Sequence, residues 1–332
     1  MYRHIILAYG KETEHKRAVF AILSFWAWYT GSYADVTTTV FTDRPEFLTP
    51  YLTGLPVNYV LLTVAQLEEM RGPRSFVHRI KVSVIAQVCE SHPEDNVIFC
   101  DSDTFFTAKS DPLLRCMQAQ TSIMHVSEYC FSASTEPQVT NNPIHPRNFL
   151  ELIGTQSFLI KRQEQRFHAS QLMWNSGVLG LAKEDTHLMS DIMALSDAFH
   201  AGSNWILSEQ AAFSLALQTQ TQILASSKQV FHYWQPPLKP LMDNLLATLV
   251  TKPFSEKMLT ERLNRVRRLT TKWPRAIKLA DLRGHALQAY ARGDWNAAIK
   301  TTIKVWLASP FSAAFARDIA STFRRPSNYG HE

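Results

Sequence analysis

The chain opens on a short apolar run, Ile5-Ile6-Leu7-Ala8-Tyr9-Gly10, which reads as a buried strand ending in a glycine turn. Glu12 to Tyr29 follows with a helical pattern. Val36-Thr37-Thr38-Thr39-Val40-Phe41 is β-branched enough for a second strand, closed by the turn Thr42-Asp43-Arg44-Pro45. Val57 to Leu62 reads as a third strand and Phe76 to Cys89 as a helix. Val97-Ile98-Phe99-Cys100 is continuously apolar, as expected of a parallel strand covered on both faces. Thr135 to Arg147 shifts to Pro, Asn and Thr and reads as a long loop of the kind that covers a site. Trp174 to Ala182 returns to sheet, Ser208 to Leu217 to helix with Ser208 as its N-cap, and Val230 to Trp234 to a short strand. After about Pro240 the strand pattern stops. This alternation predicts an α/β fold, an open and mainly parallel sheet flanked by helices, over residues 1–245, with a helical region over 246–332. Ligands of such sheets bind beyond the carboxyl ends of the strands. That rule nominates Tyr9-Gly10, Thr42-Asp43 and Asp101-Ser102-Asp103.

Composition narrows the class. The 332 residues are 45% apolar and 19% charged, enough for a core and too few charges for a disordered chain. The net charge of +5 is concentrated: ten Lys and Arg face three acids between Thr251 and Arg283, so the remainder is slightly acidic. Such a local excess points to one anionic partner surface and not to nucleic acid. The four cysteines show neither a CxxC pair nor zinc-ligand spacing and read as reduced thiols. The amino-terminal apolar run is short for a signal peptide. The longest apolar stretch, Ala18 to Tyr29, falls below the roughly 18 residues that span a bilayer. These features lead us to expect a cytoplasmic protein, with any membrane contact peripheral and at the inner face.

Asp101-Ser102-Asp103, directly after an apolar strand, carries the most chemistry. Alternation along an extended chain would point its two carboxylates the same way. Two hard oxygen donors suit Mg²⁺ or Mn²⁺, and such an ion can clamp a diphosphate leaving group. The triplet also fits an acidic turn capping the next segment. Asn175-Ser176-Gly177 offers close backbone approach to a ligand, or a plain turn into a strand. Ser208-Glu209-Gln210 fits a site or an ordinary acidic first turn. His232, among Phe231, Tyr233 and Trp234, fits a packed core histidine or a third metal ligand.

The order of these motifs, from Ala8-Tyr9-Gly10 through Arg79-Ile80-Lys81, Asp101-Ser102-Asp103, Asn175-Ser176-Gly177 and Glu209-Gln210 to His232 with Lys239-Pro240, resembles glycosyltransferase family 8 and its GT-A relatives over roughly residues 1–241. The resemblance implies a GT-A fold. It also implies Mn²⁺-dependent, retaining transfer of a hexose from a nucleotide sugar, with UDP as carrier, to a glycan, lipid-linked or other hydroxyl acceptor. It assigns Asp101, Asp103 and His232 to the metal, with Asp101 also reaching the donor ribose. Ala8, Tyr9 and Gly10 would form the nucleotide-binding loop, to which the strand-end rule, not the resemblance, adds Thr42 and Ser102. Arg79, Lys81 and Lys239 would meet the donor's phosphates and sugar. Asn175 would touch the sugar, with Ser176 and Gly177 beside it, and Glu209 and Gln210 would lie at its reacting face.

Three departures stand out. Glu209 replaces the family's Asp. The stretch from His232 to Lys239 lacks a Gly and is one residue longer. Leu241 stands where the family has Trp. In a retaining enzyme the leaving phosphate takes the acceptor proton; in an inverting one Glu209 is the candidate general base. Two other readings compete. One is a haloacid-dehalogenase-like phosphatase with Asp101 as nucleophile, against which the motif lies far from the chain start and Thr104 one position early. The other is a non-catalytic sugar-binding scaffold.

Ser255 to Thr271 reads as an amphipathic helix. Leu259, Leu263 and Val266 share one side, and Arg262, Arg265 and Arg268 lie toward the other. Residues 255–283 then either meet an anionic membrane, convenient for a lipid-linked acceptor, or form the solvated face of a helix packed on the catalytic domain. Tyr290, Gly293-Asp294-Trp295, Ala298 and Pro310 resemble one tetratricopeptide unit, two helices joined at Gly293-Asp294. A lone unit cannot bury its own face, so it is expected to pack on the catalytic domain or on a second subunit.

Overall fold

A computed structural model describes residues 1–132, 147–235, 238–309 and 312–322. The loop expected over 135–147, except Arg147, lies outside the described residues, as do Pro236, Pro237 and Pro310.

The strands are β1 (Tyr2–Ala8), β2 (Val36–Thr42), β3 (Val57–Leu61), β4 (Asn96–Cys100), β5 (Thr104–Phe106), β6 (Thr121–Met124), β7 (Ser127–Cys130), β8 (Phe158–Ile160), β9 (Gln163–Gln165), β10 (Leu172–Trp174), β11 (Val178–Leu181), β12 (Gln222–Ala225) and β13 (Val230–His232). Between them run the helices α1 (Glu12–Trp28), α2 (Pro45–Leu52), α3 (Val64–Arg71), α4 (Arg79–Ser91), α5 (Asp111–Arg115), α6 (Arg147–Thr155), α7 (Leu188–Ser203) and α8 (Ser208–Gln220). The carboxyl-terminal part holds α9 (Leu238–Leu249), α10 (Lys252–Ser255), α11 (Leu259–Arg292), α12 (Trp295–Ala308) and α13 (Ala313–Thr322). The expected architecture is the observed one: an open, mainly parallel sheet flanked by helices, followed by a helical region.

Among the described residues the main sheet has the order β12-β6-β11-β4-β1-β2-β3. Every neighbouring pair is parallel except those of β11, which runs against both β4 and β6. Side chains alternate across this sheet. Ile5, Phe99 and Leu179 enter the core shared with α4, α7 and α8, while Ile6, Ile98 and Val178 enter the core shared with α1, α9 and α11. Both faces are therefore covered, which is why the stretches 5–8 of β1 and 97–100 of β4 read as unbroken apolar runs.

The reversal of β11 positions the site. Its amino end meets the carboxyl end of β4, with Val178 opposite Cys100. Asn175-Ser176-Gly177 is thereby brought beside Asp101, whose backbone N–H donates to the Gly177 carbonyl at 2.8 Å. A separate antiparallel ribbon, β5 with β13, pairs His232 with Thr104, and the Tyr233 N–H donates to the Asp103 carbonyl at 3.1 Å. A third pair, β7 with β10, carries Glu128 to the same region.

The helical tail is less detached than its sequence suggests. α11 is one helix through Pro274, and Val266 and Ile277 join the core under α1. Trp28 Nε1 donates to Thr270 at 2.9 Å, and Arg267 lies 4.6 Å over the Trp28 ring. Arg262, expected on the outer side, is 3% exposed and faces inward. Its guanidinium donates to the carbonyls of Pro50, Tyr51 and Thr53 at the end of α2. It thus supplies donors that the last carbonyls of a helix otherwise lack. The Gly293-Asp294 joint forms as expected: Gly293 adopts φ 75° and the Asp294 side chain caps α12 through the Ala297 N–H. Ala286, Val305 and Phe315 form a small outer core between α11, α12 and α13.

His4 is fully buried on β1, stacked 4.3 Å from Phe25, and burial lowers its pKa to about 3. A group neutral when folded binds its proton only on unfolding between its unfolded pKa near 6.5 and that lowered value. Stability should therefore fall as pH drops below about 6.5. Urea denaturation of the wild type across that window should show the slope, and His4→Phe should remove part of it; an identical slope in the variant would exclude His4 as a source.

Candidate active site

The carboxyl ends of β1 and β4, the amino end of β11, the start of α8 and the end of β13 enclose a cleft of about 560 Å³. Its lining includes Ala8, Tyr9, Gly10, Lys81, Asp101, Ser102, Asp103, Asn175, Ser176, Gly177, Glu209, Gln210, His232 and Lys239. Residues scattered over more than 230 positions of chain thus share one space. Thr42 and Arg79 do not line it. The Thr42 hydroxyl accepts from the Arg44 N–H at 3.2 Å. Arg79 donates to Asp197 at 2.7 Å and to the Met70 carbonyl at 3.0 Å, lining a separate cavity. Two positions apart on a helix differ by about 200° in direction, so Arg79 and Lys81 at the start of α4 cannot both face the cleft.

Asp101-Ser102-Asp103 is a turn between β4 and β5 rather than an extended segment, so strand alternation does not bring its carboxylates together. The turn and the β5–β13 ribbon do. One ligand atom each from Asp101, Asp103 and His232 lies within 4.8 Å of the others. His232 Nε2 sits 3.1 Å from Asp103 Oδ1, and its Nδ1 lies 2.9 Å from Asn175 Oδ1. That amide oxygen also accepts from the Gly177 N–H at 3.0 Å, while the amide nitrogen donates to Glu128 at 3.0 Å. The amide is oriented from both ends. Its oxygen therefore favours a proton on Nδ1, so that Nε2 could bind an ion in place of its present contact with Asp103. Two carboxylates and an imidazole nitrogen form a donor set that suits Mn²⁺ or Mg²⁺, and the chain's residues fit such an ion.

Lys81 is buried between carboxylates, 3.2 Å from Asp101 and 2.9 Å from Glu209, and also donates to the Ser176 hydroxyl at 3.1 Å. Burial alone would lower its pKa, but the two carboxylates outweigh that and raise it. Burial would raise Asp103; His232 and Lys239, the latter at 2.6 Å, reverse this and hold it far below the usual carboxylate range. Burial raises Asp101, and the adjacent Asp103 charge adds to it against the pull of Lys81. Glu209 is 2% exposed, and burial is again outweighed, chiefly by Lys81, so it stays ionised. Its carboxylate also accepts from the Ser176 hydroxyl at 2.8 Å. Ser208 does not cap α8; its hydroxyl turns back to the Trp205 carbonyl at 2.7 Å. Gln210 accepts from the Ser176 N–H at 3.3 Å and donates to Glu128 at 2.9 Å.

No family profile matches the chain, and no curated protein sequence matches it. Solved structures similar to it include mouse xyloside xylosyltransferase 1 in its apo form, at 13% identity over 68% of this chain and 84% of that one, with a TM-score of 0.43. Apo WbbM, a bifunctional glycosyltransferase, matches at 10% over 67% of this chain and 38% of its own, with a TM-score of 0.43. The galactosyltransferase LgtC, solved with donor and acceptor sugar analogues, matches at 12% over 76% and 97%, with a TM-score of 0.46. All three are glycosyltransferases by name.

Sequence reasoning missed several participants. Glu128 ties Asn175 to Gln210, but nothing around it in sequence marks it. Glu14 accepts from the Ser102 hydroxyl at 2.8 Å, and His78 and Trp234 line the cleft. Trp234 stood beside His232 in the aromatic cluster, which was a usable signal. Asp43, which the strand-end rule did nominate, holds the Gly10 N–H at 2.9 Å and His15 at 2.8 Å, shaping the β1 loop. Gly177, read as allowing close backbone approach to a ligand or as a plain turn, lines the cleft, and a Cβ there would lie 2.2 Å from His232 Cε1 and 2.3 Å from its Nδ1.

Gly177→Ala must therefore displace the His232 ring. The variant is expected to bind Mn²⁺ at least about tenfold more weakly by calorimetry and to lose about 1–3 kcal/mol of stability from overpacking. Undiminished Mn²⁺ affinity would remove His232 from the ligand set.

Proposed function

We propose that this chain is a GT-A glycosyltransferase moving a hexose from a nucleotide diphosphate sugar, with UDP as carrier, to a glycan, lipid-linked or other hydroxyl acceptor. The observation that carries the reading is the convergence of Asp101, Asp103 and His232 in a cleft that Asn175 and Gln210 also line. A divalent ion bound there would neutralise a diphosphate and make it a better leaving group.

The chain's own residues have distinct tasks in this reading. Asp101, Asp103 and His232 hold the ion. Lys239, now paired with Asp103, lies where a diphosphate oxygen can compete for it, and its half-exposed side chain allows the exchange. The loop Ala8-Tyr9-Gly10 borders the nucleotide, with Gly10 at φ 85° keeping the turn tight. Asn175 and Gln210 present neutral amides to the sugar. Lys81 lies between Asp101 and Glu209 as an electrostatic spacer that offsets both carboxylates, and it has no donor left pointing freely at a phosphate. Glu209, held by Lys81 and Ser176, is poorly placed to abstract an acceptor proton. That supports retention, in which the departing phosphate takes the proton, over an inverting reaction with Glu209 as base.

Incubation with a panel of UDP-sugars and MnCl₂ tests the reading. Mn²⁺-stimulated release of UDP is expected, falling about 100-fold or more in Asp103→Asn. No Mn²⁺ binding by the wild type, or full activity in the variant, would overturn it. Glu128→Gln retains size but can accept only one of the two amide N–H groups that Glu128 receives. It is expected to weaken Mn²⁺ binding about tenfold and to depress turnover while melting with the wild type. An unaltered Mn²⁺ isotherm would mean that Asn175 and His232 hold their orientation without it.

A further inference from the structure

α12 shows a pattern that a helix facing water does not need. Ala298, Thr302 and Val305 form its buried row, packed toward α11 and the outer core. One position on, Ile299, Ile303 and Trp306 recur at i, i+4 and i+7, and they are 49%, 50% and 47% exposed. Leu307 beside them is 80% exposed. One position further again, Lys300 and Lys304 stand exposed. A solvated helix face is normally polar; here apolar side chains occupy it, with a basic row along the edge.

The surroundings extend the basic edge. Arg275 donates to the Ala308 carbonyl at 3.0 Å, so the end of α12 bearing Trp306 and Leu307 lies beside the part of α11 that carries Lys272 and Arg275. Between Leu259 and Ala308 there are eleven Lys and Arg and three acids. Of those acids, Asp294 caps α12 and Asp281 faces His285 at 3.6 Å.

We propose that α12 lies in the headgroup region of an anionic lipid bilayer, its Ile299-Ile303-Trp306-Leu307 face immersed and Lys300, Lys304, Lys272 and Arg275 meeting the anionic headgroups. Two physical points select this occupant. Apolar side chains flanked by lysines on one helix, with Trp in the apolar face, match a headgroup boundary, where one side is hydrocarbon and the other is wet and negative. A second copy of the chain would bring the same cations against its partner's, because a two-fold interface repeats one patch on both sides. Among the described residues no helix is long and apolar enough to cross a membrane, so the proposed contact is of the interfacial kind. The proposed contact does not depend on the cleft.

Flotation of the full chain with vesicles tests it. Binding to mixed phosphatidylglycerol–phosphatidylcholine vesicles is expected at low salt, and about tenfold less to pure phosphatidylcholine. Ile303→Ser with Trp306→Ser changes only exposed side chains. It should keep the wild-type melting temperature and weaken vesicle binding about tenfold or more. Lys300→Glu with Lys304→Glu should weaken it further on anionic vesicles than on neutral ones. Failure of the wild type to float with anionic vesicles would overturn the proposal. So would binding that the apolar variant retains, or a wild-type dimer in sedimentation equilibrium that the apolar variant loses.

Discussion

Charge matching around three buried or half-buried carboxylates underlies the cleft. Asp101, Asp103 and Glu209 come within reach of two ammonium groups, Lys81 and Lys239. An unpaired buried charge costs several kcal/mol, so this arrangement is stable only because each carboxylate has a cation or an N–H at hydrogen-bond distance. With Lys11 and Glu14, which also line the cleft, three ammonium groups face four carboxylates and leave it short of positive charge. A divalent cation held by Asp101, Asp103 and His232 would make up the difference, and the diphosphate it brings would then find Lys239 at hand. On the proposed function, the electrostatics that stabilise the cleft would also be those that recognise a donor.

Strand direction makes the matching possible. A fully parallel sheet would send the amino end of β11 to the far edge, and Asn175-Ser176-Gly177 would never meet Asp101. The single reversed strand brings two chain segments head to head, and the β5–β13 ribbon then lowers His232 into the gap left by the missing Gly177 side chain. Behind them Glu128 holds two amides at once, one orienting the imidazole and the other belonging to Gln210. Preorganisation of this kind comes from hydrogen bonds between elements, each of which alone is short.

The helical tail obeys the same logic at lower density. Its first part is tied to the sheet domain by Arg262 on the end of α2 and by Trp28, Thr270 and Arg267, so it cannot be a freely basic arm. Only beyond Ile277 does the helix leave the main core, and there its partner α12 carries apolar side chains outward.

Most of the fold was legible in the residues, because burial on both faces imposes unbroken apolar runs and helices impose their own period. The strands ending at Ala8, Thr42 and Cys100, the helix after Gly10 and the joint at Gly293-Asp294 follow from local pattern alone. The candidate residues of the site could be named as well, but Asp101-Ser102-Asp103 fitted an acidic turn as readily as a metal site until the fold set His232, Lys81 and Lys239 beside it. What only the tertiary structure decided is direction. Periodicity says that a side chain is inside, not which neighbour it meets there. It could not separate Lys81 from Arg79 on one helix turn, send Arg262 inward onto three carbonyls, place Glu128 behind Asn175, or give the space at Gly177 to an imidazole. Those outcomes depend on contacts between residues tens to hundreds of positions apart, which no local pattern encodes.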